Sequence, residues 1–390
     1  MLEKALKGSP IYYAWVLFLL GVIGIGFGAY FYQLQKGLTI TGMSRDVTWG
    51  FYIAQLTYLV GIAASAVMVV LPYYLHSYKK FGPITILGEF LAVPAVLMCL
   101  LFVIVDLGQP QRLFNIILFP TPNSILFWDM IVLNGYLFLN ITIGWTVLGA
   151  ERKQVAPPKW VKPLIYLSIP WAVSIHTVTA FLYAGLPGRH FWLTAIMAAR
   201  FLASAFCAGP ALLVLLIFIL RRFAGFWPGS EAVRSLAKII TYAMILNVFF
   251  LLLEVFTAFY SQIPGHMHTF QYLYTGLHGH GQMVPWMWSS AALAVASLVL
   301  LINPVTRNNE AILPFTLIML IASTWIDKGL ALVSGGFIPS PLEHVTEYWP
   351  TAPELMISFG VYAIGFLVLT ILYKVAVGVK AETAGVEIPH

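Results

Sequence analysis

Ten apolar runs, each about 20 residues or longer, follow one another along this 390-residue chain with little sequence left between them. A run of that length crosses the roughly 30 Å hydrocarbon core of a bilayer as a helix rising about 1.5 Å per residue. Inside lipid no water is present to satisfy backbone N–H and C=O groups, so each run must close its hydrogen bonds within itself. The expected fold is therefore an all-α integral membrane protein, ten transmembrane helices in a bundle. The spans fall at 11–34, 47–76, 84–107, 122–148, 161–186, 191–221, 233–262, 282–303, 311–333 and 352–378. They make a single polytopic membrane domain, 1–390, with a polar tail at 379–390. No small-residue cleavage pattern follows the first run, so that span is expected to be retained.

Composition points the same way. Hydrophobic residues make up 60% and charged residues 9%, whereas charged residues are roughly a quarter of a soluble domain. The net charge of +6 does not imply nucleic acid, because the basic residues are not gathered on one surface segment. They sort by membrane side instead. Lys79, Lys80, Arg152, Lys153, Lys159, Lys162, Arg221, Arg222 and Arg234 fall on the N-terminal side, against Lys36, Arg45, Arg112 and Arg189 on the other. By the positive-inside rule both termini are cytoplasmic and the chain is a multi-pass protein of the cytoplasmic (inner) membrane, with lipid as its constant partner.

The opposite face carries the longer connectors 108–121, 263–281 and 334–351, rich in Trp, Tyr, His, Pro and Gly, which look like a docking surface. His266-Met267-His268 and His278-Gly279-His280 offer four imidazoles there. No carboxylate or cysteine completes a recognisable metal spacing, so partner contact is expected and metal is not. Gly24 and Gly28 in the first span, and Gly61 and Ser65 in the second, stand at helix-contact spacing and predict close packing. Pro94, Pro170, Pro210 and Pro314 are expected to kink helices or free carbonyls.

Ionisable groups within spans are costly and mark function by default. Asp106, Asp129, His176, Arg200, Glu254, Asp327 and Lys328 all lie in the half of the membrane away from the termini; only Glu89 is clearly near the N-terminal side. Helical spacing aligns His176, Thr179 and Tyr183 on one stripe, Asn247, Glu254, Thr257 and Ser261 on another, and Asp129, Tyr136 and Asn140 on a third. Polar stripes on apolar helices should converge on one interior cavity, walled by Trp49, Tyr52 and Trp128. Asp327 and Lys328 are neighbours pointing about 100° apart, so Lys328 should pair elsewhere. Such a cavity suits a quinone, whose carbonyls need donors and whose chemistry needs a titratable group such as histidine; a structural ion network and a transporter substrate site fit the same polar set. Glu89, Tyr242 and Asn247 are candidates for a proton path, with an isolated hydrogen-bonded acid as the plainer reading of Glu89.

Prosthetic groups are not expected. His176 is the one deep histidine, since His76 ends the second span, and a membrane haem needs two. The two cysteines, Cys99 and Cys207, cannot ligate an iron–sulfur cluster, which takes about four thiolates.

One pattern goes further. Asp106-Leu107-Gly108-x-Pro110-x-Arg112 at the end of the third span, His176-Thr177 in the fifth and Trp49-Gly50 opening the second together resemble the NrfD/polysulfide-reductase membrane-subunit family. Gln109 departs from it, standing where members often carry a basic residue. The resemblance covers nearly the whole chain, its ten spans are similar to the longer branch of the family, and Trp49–Leu75 and Thr194–Leu213 look like the DsrP branch, from the Dsr complex of dissimilatory sulfur metabolism. What it implies is a subunit without haem or cluster of its own that exchanges electrons between menaquinone, or another quinone, and an iron–sulfur partner on the periplasmic side, within an assembly that includes haem-bearing subunits. It implies a quinone site with Asp106, Arg112, His176, Trp49 and Tyr52, in which His176 bonds a quinone oxygen and relays its proton; depth and spacing add Asp129, Tyr183, Arg200 and Glu254. A secondary transporter or a passive anchor for redox partners are the competing classes. The absence of a repeat argues against the transporter, and the ionisable set argues against the anchor.

Overall fold

The computed structural model describes residues 1–384, so the end of the expected polar tail, 385–390, lies outside the described residues. In chain order the helices are α1 (Pro10–Lys36), α2 (Phe51–Ala63), α3 (Val67–Leu75), α4 (Gly82–Asp106), α5 (Asn115–Leu118), α6 (Ile125–Arg152), α7 (Val161–Ala184), α8 (Met197–Ala224), α9 (Ser230–Ser261), α10 (Pro264–Tyr274), α11 (Val284–Ile302), α12 (Pro304–Arg307), α13 (Leu313–Thr324), α14 (Leu332–Gly335) and α15 (Ala352–Ala384). A π-helical turn, Trp325–Ala331, joins α13 to α14. Among the described residues ten helical runs are long and apolar enough to cross a membrane, as the hydropathy pattern predicts.

Four boundaries differ from expectation for local reasons. The second span is broken at Ala64–Ala66 into α2 and α3, which carries Pro72 inside it. The sixth begins at Met197 rather than 191, because Trp192 is held in the preceding loop by its indole N–H, which donates to Leu332 O at 2.8 Å. The last helix continues to Ala384, so residues 379–384 are helix rather than tail. Pro314 occupies the first turn of α13, where its missing N–H is harmless, and so starts that helix rather than kinking it.

The run α2–α3 forms the buried centre, packed by α4, α7 and α8; α1, α9 and α11 lie at the periphery with lipid-facing surfaces. Lipid tails are as apolar as leucine, so helices associate where small residues let backbones approach. Gly209 of α8 is one such place: a Cβ there would sit 2.8 Å from Ser65 N and 3.1 Å from Gly61 O. The peripheral α1 crosses α15 at another, where a Cβ on Gly26 would lie 2.6 Å from Gly360 Cα. The expected contact residues Gly24 and Gly28 are the wrong pair, since a Cβ on either meets nothing within 4 Å. Two residues of helical offset place them on the lipid side.

Candidate functional site beneath the face opposite the termini

The ionisable residues are buried as expected but gather in separate clusters rather than one cavity. The first lies where α1, α2, α4 and α15 meet. Tyr52 donates to Gln33 Oε1 at 2.8 Å, and Gln33 Nε2 donates to Val105 O at 2.6 Å. Asp106, at the last position of α4, has a buried Oδ1 with no hydrogen-bond partner. Glu354, fully buried at the start of α15, accepts from Gly42 N at 2.7 Å, Thr351 N at 2.8 Å and Tyr348 Oη at 2.6 Å. The Tyr348 hydroxyl also accepts from Phe51 N at 2.7 Å, so it caps α2, whose own N-cap residue is Gly50, with no side chain to do so. Burial first, then the adjacent Glu354 carboxylate, raise the Tyr348 phenol above its ordinary range and keep it a donor. Beside this cluster a cavity of about 280 Å³ opens between the end of α1 and the turn after α4, lined by Gln33, Leu38, Leu107, Gly108, Gln109 and Gln111 among others.

Next to it stands an aromatic box. Trp49 meets Tyr183 with ring centroids 5.5 Å apart, Trp192 at 5.6 Å and Phe337 at 6.2 Å. Tyr183 hydrogen-bonds Thr57. Asp129 on α6 accepts from Thr179 on α7 at 2.7 Å, so two of the predicted stripes do meet.

The third cluster is a buried ion network. Arg200 on α8 donates from Nη1 to Glu254 on α9 and from Nη2 to both oxygens of Asp327, each at 3.0 Å. Lys328 pairs elsewhere, as its angle predicts, though with no carboxylate: Nζ donates to Phe201 O at 3.4 Å and lies 4.3 Å from the Phe201 ring centre. Asn247 lines the small gap, about 10 Å³, between these residues.

Several expected site residues are not brought to the first cluster. His176 is fully buried, both ring nitrogens lack a partner, and it lines neither the Gln33 cavity nor the Asn247 gap. Arg112 is exposed on the turn after α4 and makes no ion pair among the described residues. Trp128 is 46% exposed, bonds its own helix entry at Pro122 O, 2.8 Å, and lines neither of these spaces. The path from Glu89 through Tyr242 to Asn247 does not form. Glu89 is enclosed between α4 and α6, within reach of Gly144; Tyr242 is 63% exposed on the outer face of α9; and Asn247 belongs to the ion network. Thr257 and Ser261 point outward and bond their own helix carbonyls, which is how lone hydroxyls are satisfied in lipid.

Gln33, Glu354 and Tyr348 escape a reading of the sequence. Gln33 sits in a polar Gln-Leu-Gln-Lys helix end that looks interfacial, and Glu354 looks like an ordinary acid in a first helical turn. The loop histidines do acquire carboxylates, from the connector before α15: His268 Nδ1 lies 3.2 Å from Glu343 and His280 Nδ1 3.2 Å from Glu347. Among the described residues no three His, Cys, Asp or Glu side chains converge as a metal site would require.

Residues 39–333 match the profile of the family described as polysulphide reductase, NrfD. A chain of Halobacterium salinarum named as a membrane subunit of a dimethyl sulfoxide reductase is 26% identical, over 91% of this chain and 89% of its own. The Hdr-like menaquinol oxidoreductase integral membrane subunit of Archaeoglobus fulgidus is 23% identical, over 95% of each chain. The menaquinone reductase integral membrane subunit of Nitratidesulfovibrio vulgaris is 21% identical, over 92% and 90%. With the profile covering the second to the ninth span, more than half of its length, this chain belongs to the NrfD polysulphide reductase family of membrane subunits.

Proposed function

We propose that this chain is the quinone-exchanging membrane subunit of a multisubunit oxidoreductase and that the quinone binds at the Gln33 cavity. One observation carries this: a cavity of about 280 Å³ lies behind the peripheral helix α1, with the unpartnered, buried Asp106 Oδ1 and the Tyr52–Gln33 pair beside it. Its volume is close to the lower bound for small-molecule sites, about 300 Å³. A bound quinone would supply two-electron, two-proton chemistry between the membrane and a redox partner. The free N–H of Gln33, whose Oε1 is held by the Tyr52 hydroxyl, is the donor available to a carbonyl, while Asp106 Oδ1 is the group able to take up and return a proton. Glu354 and Tyr348 fix the start of α2 and hence the position of Tyr52. Leu38, Leu107 and the poorly packed flank of α1 give a lipid-soluble ligand its way in.

Two of the relatives are named for menaquinol or menaquinone, which supports menaquinone as the carrier. The site lies on the same membrane side as the aromatic connectors, so an iron–sulfur partner docking there would stand near it. The basic connectors on the opposite side support a periplasmic placement for it. A Dsr-type assembly with haem-bearing subunits is the finer version of the proposal, resting on the resemblance of Trp49–Leu75 and Thr194–Leu213.

The test is quinol-driven reduction of the partner in the purified complex, with Gln33→Leu, Tyr52→Phe and Asp106→Asn. Each is expected to lower the rate at limiting quinol about tenfold, the equivalent of one hydrogen bond of about 1.4 kcal/mol, while co-purification of the partners is kept. Unchanged rates in all three would refute the assignment.

A further inference from the structure

On the N-terminal side, away from all three clusters, a larger cavity of about 510 Å³ opens between α3, the turn before α4, the first turns of α9 and the end of α12. Its lining includes Arg234, Lys238, Arg307 and His76. One carboxylate, Glu231, also lines it, and Lys80 engages that carboxylate directly. Glu310, nearby in sequence to Arg307, is held by Arg221 at 2.6 Å and by Ser230 at 2.7 Å. Neither Arg234, Lys238 nor Arg307 makes an ion pair within 4.0 Å among the described residues, and the buried Arg307 Nε has no hydrogen-bond partner. Three cations thus face one space with the nearby acids already occupied.

The same helix says what fills it. At about 100° per residue, Arg234, Lys238, Tyr242, Phe249, Leu252 and Phe256 all fall within about 80° of one another around α9. The last four are exposed, at 63%, 54%, 60% and 60%. From Tyr242 to Leu252 the helix rises about 15 Å, the depth of about one leaflet of a 30 Å hydrocarbon core. A cationic mouth at the membrane surface therefore continues, on one helix face, into an apolar strip one acyl chain deep, with a tyrosine hydroxyl at the join. We propose that this cavity binds the phosphodiester headgroup of an anionic phospholipid, through Arg234, Lys238 and Arg307, with the acyl chains laid along the exposed strip of α9. A soluble phosphate shares the headgroup chemistry but has no use for the strip. Basic pockets between spanning helices are a recognised way of holding anionic lipid, and the proposal is independent of the quinone site.

The experiment uses the full-length protein purified in neutral detergent and supplied with dioleoyl phosphatidylglycerol, dioleoyl phosphatidylcholine or inorganic phosphate. Native mass spectrometry counts retained lipid, and thermal unfolding reads stabilisation. Phosphatidylglycerol is expected to be retained and to raise the unfolding midpoint, with phosphatidylcholine ineffective and phosphate unable to displace it. Affinity should fall about fivefold for each basic residue removed in Arg234→Gln and Lys238→Gln, and by the product of the two in the double variant. Lys159→Gln with Lys162→Gln, on the same face but outside the cavity, should change nothing. If the double variant does not fold, the single Lys238→Gln exchange at an exposed position decides. Equal retention of phosphatidylcholine, equal loss in the control pair, undiminished binding in the variants, or saturation by phosphate alone would each overturn the proposal.

Discussion

Replacing Arg200 by methionine removes the cation that serves two carboxylates at once. Arg200, Glu254 and Asp327 are all buried, and with Lys328 their formal charges sum to zero. Arg200→Met leaves the network one charge negative and strands Glu254, whose Oε1 already lacks a partner. Breaking a buried pair from one side costs about 3–5 kcal/mol. Glu254→Gln is milder, because both 3.0 Å bonds from Arg200 Nη2 to Asp327 survive; about 1–2 kcal/mol is expected, the scale of one charged hydrogen bond. The double variant Arg200→Met, Glu254→Gln removes one charge of each sign and returns the network to neutrality. It should therefore be more stable than Arg200→Met alone, with a coupling of about 2 kcal/mol, roughly thirtyfold in the folding equilibrium. The assay is reversible unfolding of the four proteins in mixed micelles by detergent titration. If the two substitutions add to within about 0.5 kcal/mol, the three side chains are not acting as one unit and the assignment of a single network is wrong.

Other outcomes follow from single contacts. Tyr348→Phe leaves Phe51 N–H and Glu354 Oε1 without their shared hydroxyl and should destabilise by about 1–3 kcal/mol in thermal unfolding; wild-type stability would mean that another group caps α2. Gly209→Val places side-chain atoms against the Ser65 and Gly61 backbone and should cost about 1–3 kcal/mol or more. Gly24→Ala, with nothing within 4 Å, should leave the unfolding midpoint unchanged. His176→Leu removes two unpartnered buried nitrogens and is expected to leave stability equal or higher by about 1 kcal/mol. It should also leave quinol-driven turnover intact, and loss of turnover with retained folding would return His176 to the site.

The number of helices and the depth of their polar groups are legible in the sequence because lipid imposes length and penalises charge one span at a time. Helical period is legible too: His176, Thr179 and Tyr183 are all fully buried while Thr177, one step off the stripe, is only half-buried. What the period cannot carry is which stripes meet. Arg200 finds Glu254 and Asp327 across three helices, and Tyr52 finds Gln33 across two; and the glycines that do bring helices together, Gly26 against α15 and Gly209 against α2, look no different in sequence from the lipid-facing Gly24 and Gly28. Burial of a polar residue does not by itself imply a shared destination, so three buried clusters stand where the stripes predict one cavity.

The π turn at Trp325–Ala331 sets a limit on how this chain can vary. A π segment is an α-helix carrying one extra residue in a turn, and this one holds Asp327 against Arg200 while sending Lys328 to Phe201. Exchanging side chains can leave that slack in place. Deleting one residue within the segment would regularise the coil and leave the helix beyond it in register, while moving Asp327 and Lys328 off the faces from which they meet Arg200 and Phe201. The connectors can gain or lose residues at little cost, but here the spacing itself holds the ion network, and a shift of a single position would dismantle it.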